Sequence, residues 1–168
     1  SRSYSWDFWS ENNADGETID NSFVLFFMQR FKDTSSILLN IFTDSEGIDD
    51  HVTRGSLSAP FLESGKGLAT DFSYNTRIIG KWQADLNVHA QKKDRLSFTE
   101  RTRRVSTGIR YFPSDNLRFF LKISHTKTNN WFIWRSDNHY ATYRSRNTTI
   151  KLNSRWYPDD RQELQVKL

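Results

Sequence analysis

The stretch Leu117-Arg118-Phe119-Phe120-Leu121-Lys122-Ile123-Ser124 decides the fold. Side chains of an extended strand point alternately to opposite faces, so Leu117, Phe119, Leu121 and Ile123 share one side. Arg118, Phe120, Lys122 and Ser124 share the other. The same period of two recurs along the chain. Leu68, Thr70, Phe72, Tyr74, Thr76 and Ile78 oppose Gly67, Ala69, Asp71, Ser73, Asn75 and Arg77. Trp82, Ala84, Leu86, Val88 and Ala90 oppose Lys81, Gln83, Asp85, Asn87 and His89. Val105, Thr107, Ile109 and Tyr111 oppose Arg104, Ser106, Gly108 and Arg110, and Leu164, Val166 and Leu168 oppose Glu163, Gln165 and Lys167. No segment sustains a helical period, so the chain reads as all-β, with one greasy and one wet face per strand.

Turn chemistry divides this pattern. Ile79-Gly80 is a tight break where glycine supplies a positive φ. Pro113-Ser114-Asp115-Asn116 and Pro158-Asp159-Asp160 read as turns led by proline, and Lys32-Asp33-Thr34 as a further turn. Between these lie polar tips at 11–17, 92–94 and 136–139. The expected strands span 3–9, 20–31, 35–43, 67–79, 81–92, 95–112, 117–135, 140–157 and 161–168. Several exceed the roughly 5–6 residues common in soluble sheets and suffice to cross a bilayer at a tilt. Phe23 to Phe31 is apolar on both faces, which expects cover on its inner side. A long connection at about 44–66 carries Gly47, Gly55, Pro60 and Gly65, and loops of that length are usually functional or disordered.

Composition narrows the class. Of 168 residues only 36% are hydrophobic, yet 15% are aromatic, and the net charge is +4. Few apolar residues with many rings suit a wall with an apolar face, a polar face and aromatic rims. So small a basic excess does not argue for nucleic acid. The chain has no cysteine, which excludes disulfides, thiolate metal sites and a thiol nucleophile. The most apolar run, Phe23 to Met28, is six residues, against the ~20 a membrane-spanning helix needs. No signal peptide opens the sequence, which expects a mature segment or a cytoplasmic protein.

The rings fall at two levels. Trp82, Tyr111, Phe119, Trp156 and Tyr157 lie beside the short turns, and Trp131 and Trp134, with Phe132, Tyr140 and Tyr143, near the opposite tips. Phe119 to Trp131 covers about 40 Å of strand, or roughly 30 Å when tilted by about 40°, close to the apolar height between two aromatic girdles.

The wet faces carry Asp71, Arg77, Lys81, Asp85, Arg104, Arg110, Arg118 and Lys122, which would line a lumen and bias the solutes that pass. A solvated sheet face with modest cross-strand pairs gives the same pattern. Arg101, Arg103 and Arg104, with Arg135, Arg144 and Arg146, form basic clusters suited to lipopolysaccharide phosphates or, with aromatics interleaved, to nucleic acid, and otherwise read as solvated strand extensions. His51, His89, His125 and His139 have no metal-ligand spacing, and no glycine loop for phosphate is complete. Neither metal, cofactor nor enzymatic activity is expected.

Two stretches carry a resemblance: Gly47-Ile48-Asp49-Asp50-His51-Val52-Thr53-Arg54-Gly55 and Arg155-Trp156-Tyr157-Pro158-Asp159-Asp160-Arg161-Gln162-Glu163-Leu164. They resemble the C-terminal part of an uncharacterised family of bacterial outer-membrane proteins. Its members join an N-terminal module similar to family 9 carbohydrate-binding modules to a C-terminal β-barrel. The first stretch matches that family's acidic pair before Thr-Arg-Gly, and the second its penultimate hairpin. The module itself is absent here, so no sugar-binding residue carries over, and the terminal aromatic common in such barrels is missing.

The resemblance and the alternation together predict an antiparallel up-and-down transmembrane barrel segment of about nine strands, part of a larger barrel, because single-chain bacterial barrels have even strand numbers. Residues 1–168 form that C-terminal portion, located in the outer membrane. The expected role is porin-like passage or capture of a polar solute, with a glycan suggested by the resemblance. Asp49, Asp50 and Arg54 would belong to a plug or lumen-facing loop. Expected partners are outer-membrane lipid, lipopolysaccharide, the remaining strands of the barrel and other outer-membrane proteins, and not nucleic acid. The alternative is a soluble all-β module holding a ligand or carbohydrate against its aromatics. Facing discriminates: in the barrel Leu68, Phe72, Leu86, Val88, Leu121 and Ile123 point outward, and in the soluble module inward.

Overall fold

The computed structural model describes residues 1–12, 16, 18–49, 62–95, 98–136, 139–159 and 161–168. Every regular element among them is a strand: β1 (Arg2–Asn12), β2 (Thr18–Arg30), β3 (Ser36–Asp44), β4 (Gly47–Asp49), β5 (Leu62–Asn75), β6 (Trp82–Arg95), β7 (Phe98–Ser114), β8 (Leu117–Ser136), β9 (His139–Asp159) and β10 (Gln162–Lys167). They form one antiparallel sheet in the order β1-β2-β3-β5-β6-β7-β8-β9-β10, with the short β4 paired to β5. Each strand on that path lies beside its neighbour in sequence. The sheet is open, with β1 and β10 at its edges. The all-β meander expected from the alternation is therefore the fold, and nine strands follow the path. Within the connection expected at about 44–66, β3 ends at Asp44, β4 pairs with β5, and β5 begins at Leu62, with residues 50–61 outside the described residues.

One end of the sheet is finished by tight turns. At Gly80, φ is +61°, and Ile79 and Trp82 exchange backbone hydrogen bonds of 2.8 and 3.1 Å across it. That conformation suits glycine because it has no Cβ to clash. At the β2–β3 turn Thr34 takes φ +70°, and the Asp33 carboxylate accepts from both the Ser35 N–H and its hydroxyl, at 3.1 and 2.6 Å. The β7–β8 and β9–β10 turns lie at the same end. At the other end the strands lengthen, β8 reaching 20 residues and β9 21.

Register fixes which side chains share a face. Tyr74, Leu86, Thr107, Ile123 and Ile150 form one row from β5 to β9. The adjacent row on the opposite face reads Ser73, Asn87, Ser106, Ser124 and Thr149. Burial is inverted relative to a water-soluble domain. Among the described residues the buried polar side chains are Ser22, Ser35, Asp85, Ser106 and Thr128, and Phe132 is the buried apolar one. Leu86, Val88, Val105, Ile109, Leu121, Ile123, Ile150 and Leu152 are all exposed, Ile150 to 64%. No second layer covers them among the described residues. On the polar side of β2, Val24, Phe26 and Met28 lie opposite Phe42, Asn40 and Leu38 of β3, and among the described residues no second layer supplies the cover expected there.

The register of β8 against β9 slips twice, between Thr128 and Trp131 and again between Trp134 and Ser136. At the first slip Asn130 adopts φ +56° and donates from Nδ2 to the Thr99 carbonyl at 3.0 Å. One extra residue on a strand redirects every side chain beyond it. Past this bulge Phe132 stacks between Phe98 and Tyr140, at 5.8 and 5.4 Å, with the Arg95 guanidinium 5.7 Å over its ring.

A candidate solute-binding face

The hollow on the polar face is built by small side chains flanked by long cationic ones. Ser73, Asn87, Ser106 and Ser124 keep the centre low, and a cavity of about 480 Å³ opens over them. Arg104, Lys122 and Lys151 line it, with Asp71 and His89 on the β5–β6 side. His89 Nδ1 and Asp71 Oδ1 are 2.8 Å apart, and the Ser106 and Ser124 hydroxyls meet at 3.2 Å. Ser73 donates to Asn87 Oδ1 at 2.8 Å, and Asn87 donates to Asp85 Oδ2 at 3.1 Å. These local bonds hold the short side chains down. Lys122 and Lys151, directly opposite in register, are left as paired positive charges.

Toward the turns a second hollow of about 410 Å³ is lined by Arg110, Arg118, Phe120, Asn153 and Arg155. Arg110 binds the buried Asp85 at 3.2 Å and lies 4.9 Å over the Phe120 ring. Arg118 stands 5.6 Å over Tyr157 and opposite Arg155, which in turn lies 3.7 Å from Glu163. Cations outnumber acids along this face. It offers hydroxyl and ammonium donors at spacings that suit an anionic or polyhydroxyl solute.

Of the sequence-derived site residues, Asp71, Asp85, Arg104, Arg110, Arg118 and Lys122 come together on this face. Arg77 does not: it follows the end of β5 and its charge acts on Asp33 at the turns. Asp49 ends β4, while Asp50 and Arg54 lie outside the described residues. His89, Lys151 and Arg155 belong to the face and were not singled out. The run Ile150, Lys151, Leu152 carries the same alternation, so strand β9 held the signal for Lys151.

The rings divide as well. Trp82 stacks on Tyr111 at 4.3 Å and Tyr111 on Phe119 at 6.4 Å, a row on the apolar face at its turn end. Trp156, exposed, pairs in register with Leu117 and Leu164. Tyr157 is on the opposite, polar face beneath Arg118. Trp131 and Trp134 pair with Tyr143 and Tyr140 beyond the bulge.

Two carboxylates at the strand ends have shifted ionisation. The Ser35 hydroxyl and N–H hold Asp33 below its ordinary value of 3.8. The Thr99 hydroxyl, at 2.8 Å, and then Lys92 do the same for Asp94. Hydrogen bonds to the charged form are the cause in both. Among the described residues no cluster of acids and histidines is arranged to hold a metal. Neither a known protein family, nor a curated protein, nor a solved structure matches this chain.

Proposed function

We propose that this sheet is a wall section of a bacterial outer-membrane β-barrel, its apolar face against lipid and its hollowed polar face lining the path of a polar solute. The observation that carries the reading is the inverted burial: small polar side chains are enclosed while Leu86, Ile109, Leu121, Ile123 and Ile150 stand exposed in register. Exposed apolar surface on this scale is costly in water and costs nothing in hydrocarbon. A soluble ligand-binding module needs those same side chains turned inward. Tight turns at one end and long strands at the other agree with the short inner turns and longer outer extensions of such barrels. In hydrocarbon both sheet edges must be paired, so further strands complete the wall. The excess of Arg and Lys on the polar face favours anionic solutes, and the resemblance to barrels joined to carbohydrate-binding modules favours an acidic glycan among them.

The test uses the absence of cysteine. Single cysteines at Ile109, Leu121 and Ile123, and at Ser106, Ser124 and Lys122, are spin-labelled in protein reconstituted into lipid vesicles. The expected result is relaxation by dissolved oxygen for the first set and by a water-soluble nickel chelate for the second. Nickel accessibility at Leu121 and Ile123 sinks the reading.

A further inference from the structure

The apolar face changes character across a single step of register. Val88, Val105, His125 and Thr148 form one row, and the next reads Ala90, Arg103, Lys127 and Arg146. Arg101 follows on β7 and Arg144 on β9, on the same face by alternation. All five cations are exposed. Strands β7 to β9 carry no acid on this face at this end, because Glu100 alternates to the other side. On β6, Asp94 is engaged by Thr99 and Lys92 and also feels the charge of Arg101, so it is the one acid near this end of the belt among the described residues of β6 to β9 on this face. Like charges directly opposite one another destabilise a sheet. Arg103, Lys127 and Arg146 are nonetheless held side by side, with no ion pair between them and an acid among the described residues.

We propose that this belt binds the phosphates of a bisphosphorylated lipid headgroup in the leaflet at the long-strand end. The inference rests on the lipid-facing reading above. Two arginines from β7 and two from β9 stand about 10 Å apart, two strand spacings, with Lys127 between them. A guanidinium fork matches phosphate oxygens two at a time, so each arginine pair suits one phosphate and the lysine is shared. The belt begins where the apolar rows stop, which is where headgroups lie, and this favours lipid over free phosphate as the source.

The experiment is retention of diphosphoryl lipid A by the protein in zwitterionic detergent, measured as co-eluting phosphate after gel filtration. Dephosphorylated lipid A and inorganic phosphate are run in parallel. The expected result is retention of the phosphorylated lipid alone, undisplaced by excess inorganic phosphate. Retention falls at least tenfold in the Arg103→Gln, Lys127→Gln, Arg146→Gln variant. Equal retention by that variant, indifference to the lipid's phosphates, or displacement by inorganic phosphate overturns the proposal. If the variant does not fold, the comparison of the two lipids on the unaltered protein decides alone. A spin label at Ile109→Cys in the same samples separates the two readings. An oxygen-accessible label without phosphate selectivity removes the belt and leaves the wall. A nickel-accessible label removes both.

Discussion

The carboxylate of Asp85 lies across Gly108, its cross-strand partner, so that a Cβ at Gly108 would stand 2.5 Å from Asp85 Oδ1 and 2.8 Å from Oδ2. The glycine is what lets the buried acid lie flat and meet Arg110, the next residue of β7 on the polar face, at 3.2 Å. Arg110 in turn covers Phe120. One missing methyl group thus sets the position of a cation on the polar face.

Gly108→Ala should push the carboxylate off Arg110 and destabilise the sheet by about 1–3 kcal/mol, the range for stranding a buried charged partner. The readout is the urea midpoint of the vesicle-reconstituted protein. In an Asp85→Ala background the same change should be neutral or slightly stabilising, since alanine suits a strand better than glycine. Equal losses in both backgrounds would assign the cost to something other than this contact.

Faces differ in what they tolerate. Ile123→Arg should cost about 2–4 kcal/mol in a bilayer, as a cation on the lipid side of a barrel does near the midplane. Lys122→Ala, one residue earlier on the opposite face, should change stability by less than about 0.5 kcal/mol. Unfolding titrations in vesicles compare the two, and matching losses would contradict the facing.

Replacing Lys122 and Lys151 together by glutamate should reverse the charge lining the cavity. In planar bilayers the reversal potential under a salt gradient is expected to change sign, from anion to cation preference. An unchanged potential would mean that ions do not pass these side chains.

The Asp33 turn should respond to acid. Its carboxyl ionises below 3.8 in the folded chain because Ser35 bonds the charged form. The resulting support is complete above that ordinary value and is lost as pH falls through the lowered folded one. Protection of the Ser35 amide, taken relative to its intrinsic exchange rate, should fall over that window, and Ser35→Ala, which removes the hydroxyl and keeps the N–H donor, should weaken the dependence. Protection relative to the intrinsic exchange rate that is instead lost on going above pH 5 would refute the assignment.

The alternation of Leu117 to Ser124 was enough to place strands, faces and turns, because a period of two is a local property of the backbone. Register is not local. Arg101, Arg103 and Arg104 look like one basic cluster in sequence, yet Arg104 joins the cavity while Arg101 and Arg103 belong to the apolar side. At Trp131 the bulge at Asn130 shifts the phase of the alternation, and Asn129-Asn130 carries only a weak mark of it, the tolerance of asparagine for positive φ. Tyr157 follows Trp156 immediately, so the two cannot share a face of a regular strand. Lys151 was within reach of the same reasoning applied to β9.

The polar inventory of buried side chains has a calorimetric consequence. The positive heat-capacity change of unfolding in water comes mainly from apolar groups newly hydrated, at about +0.45 cal/K/mol/Å² against about −0.26 for polar ones. A chain that encloses Ser22, Ser35, Asp85, Ser106 and Thr128, with Phe132 as its buried apolar residue among those described, has little of the first kind to release by itself. On the proposed lipid-facing reading, its heat-capacity signature should therefore belong to the amphiphile leaving the apolar face. The same polypeptide scanned in detergents of different chain length should then give different increments for one and the same loss of hydrogen-bonded sheet.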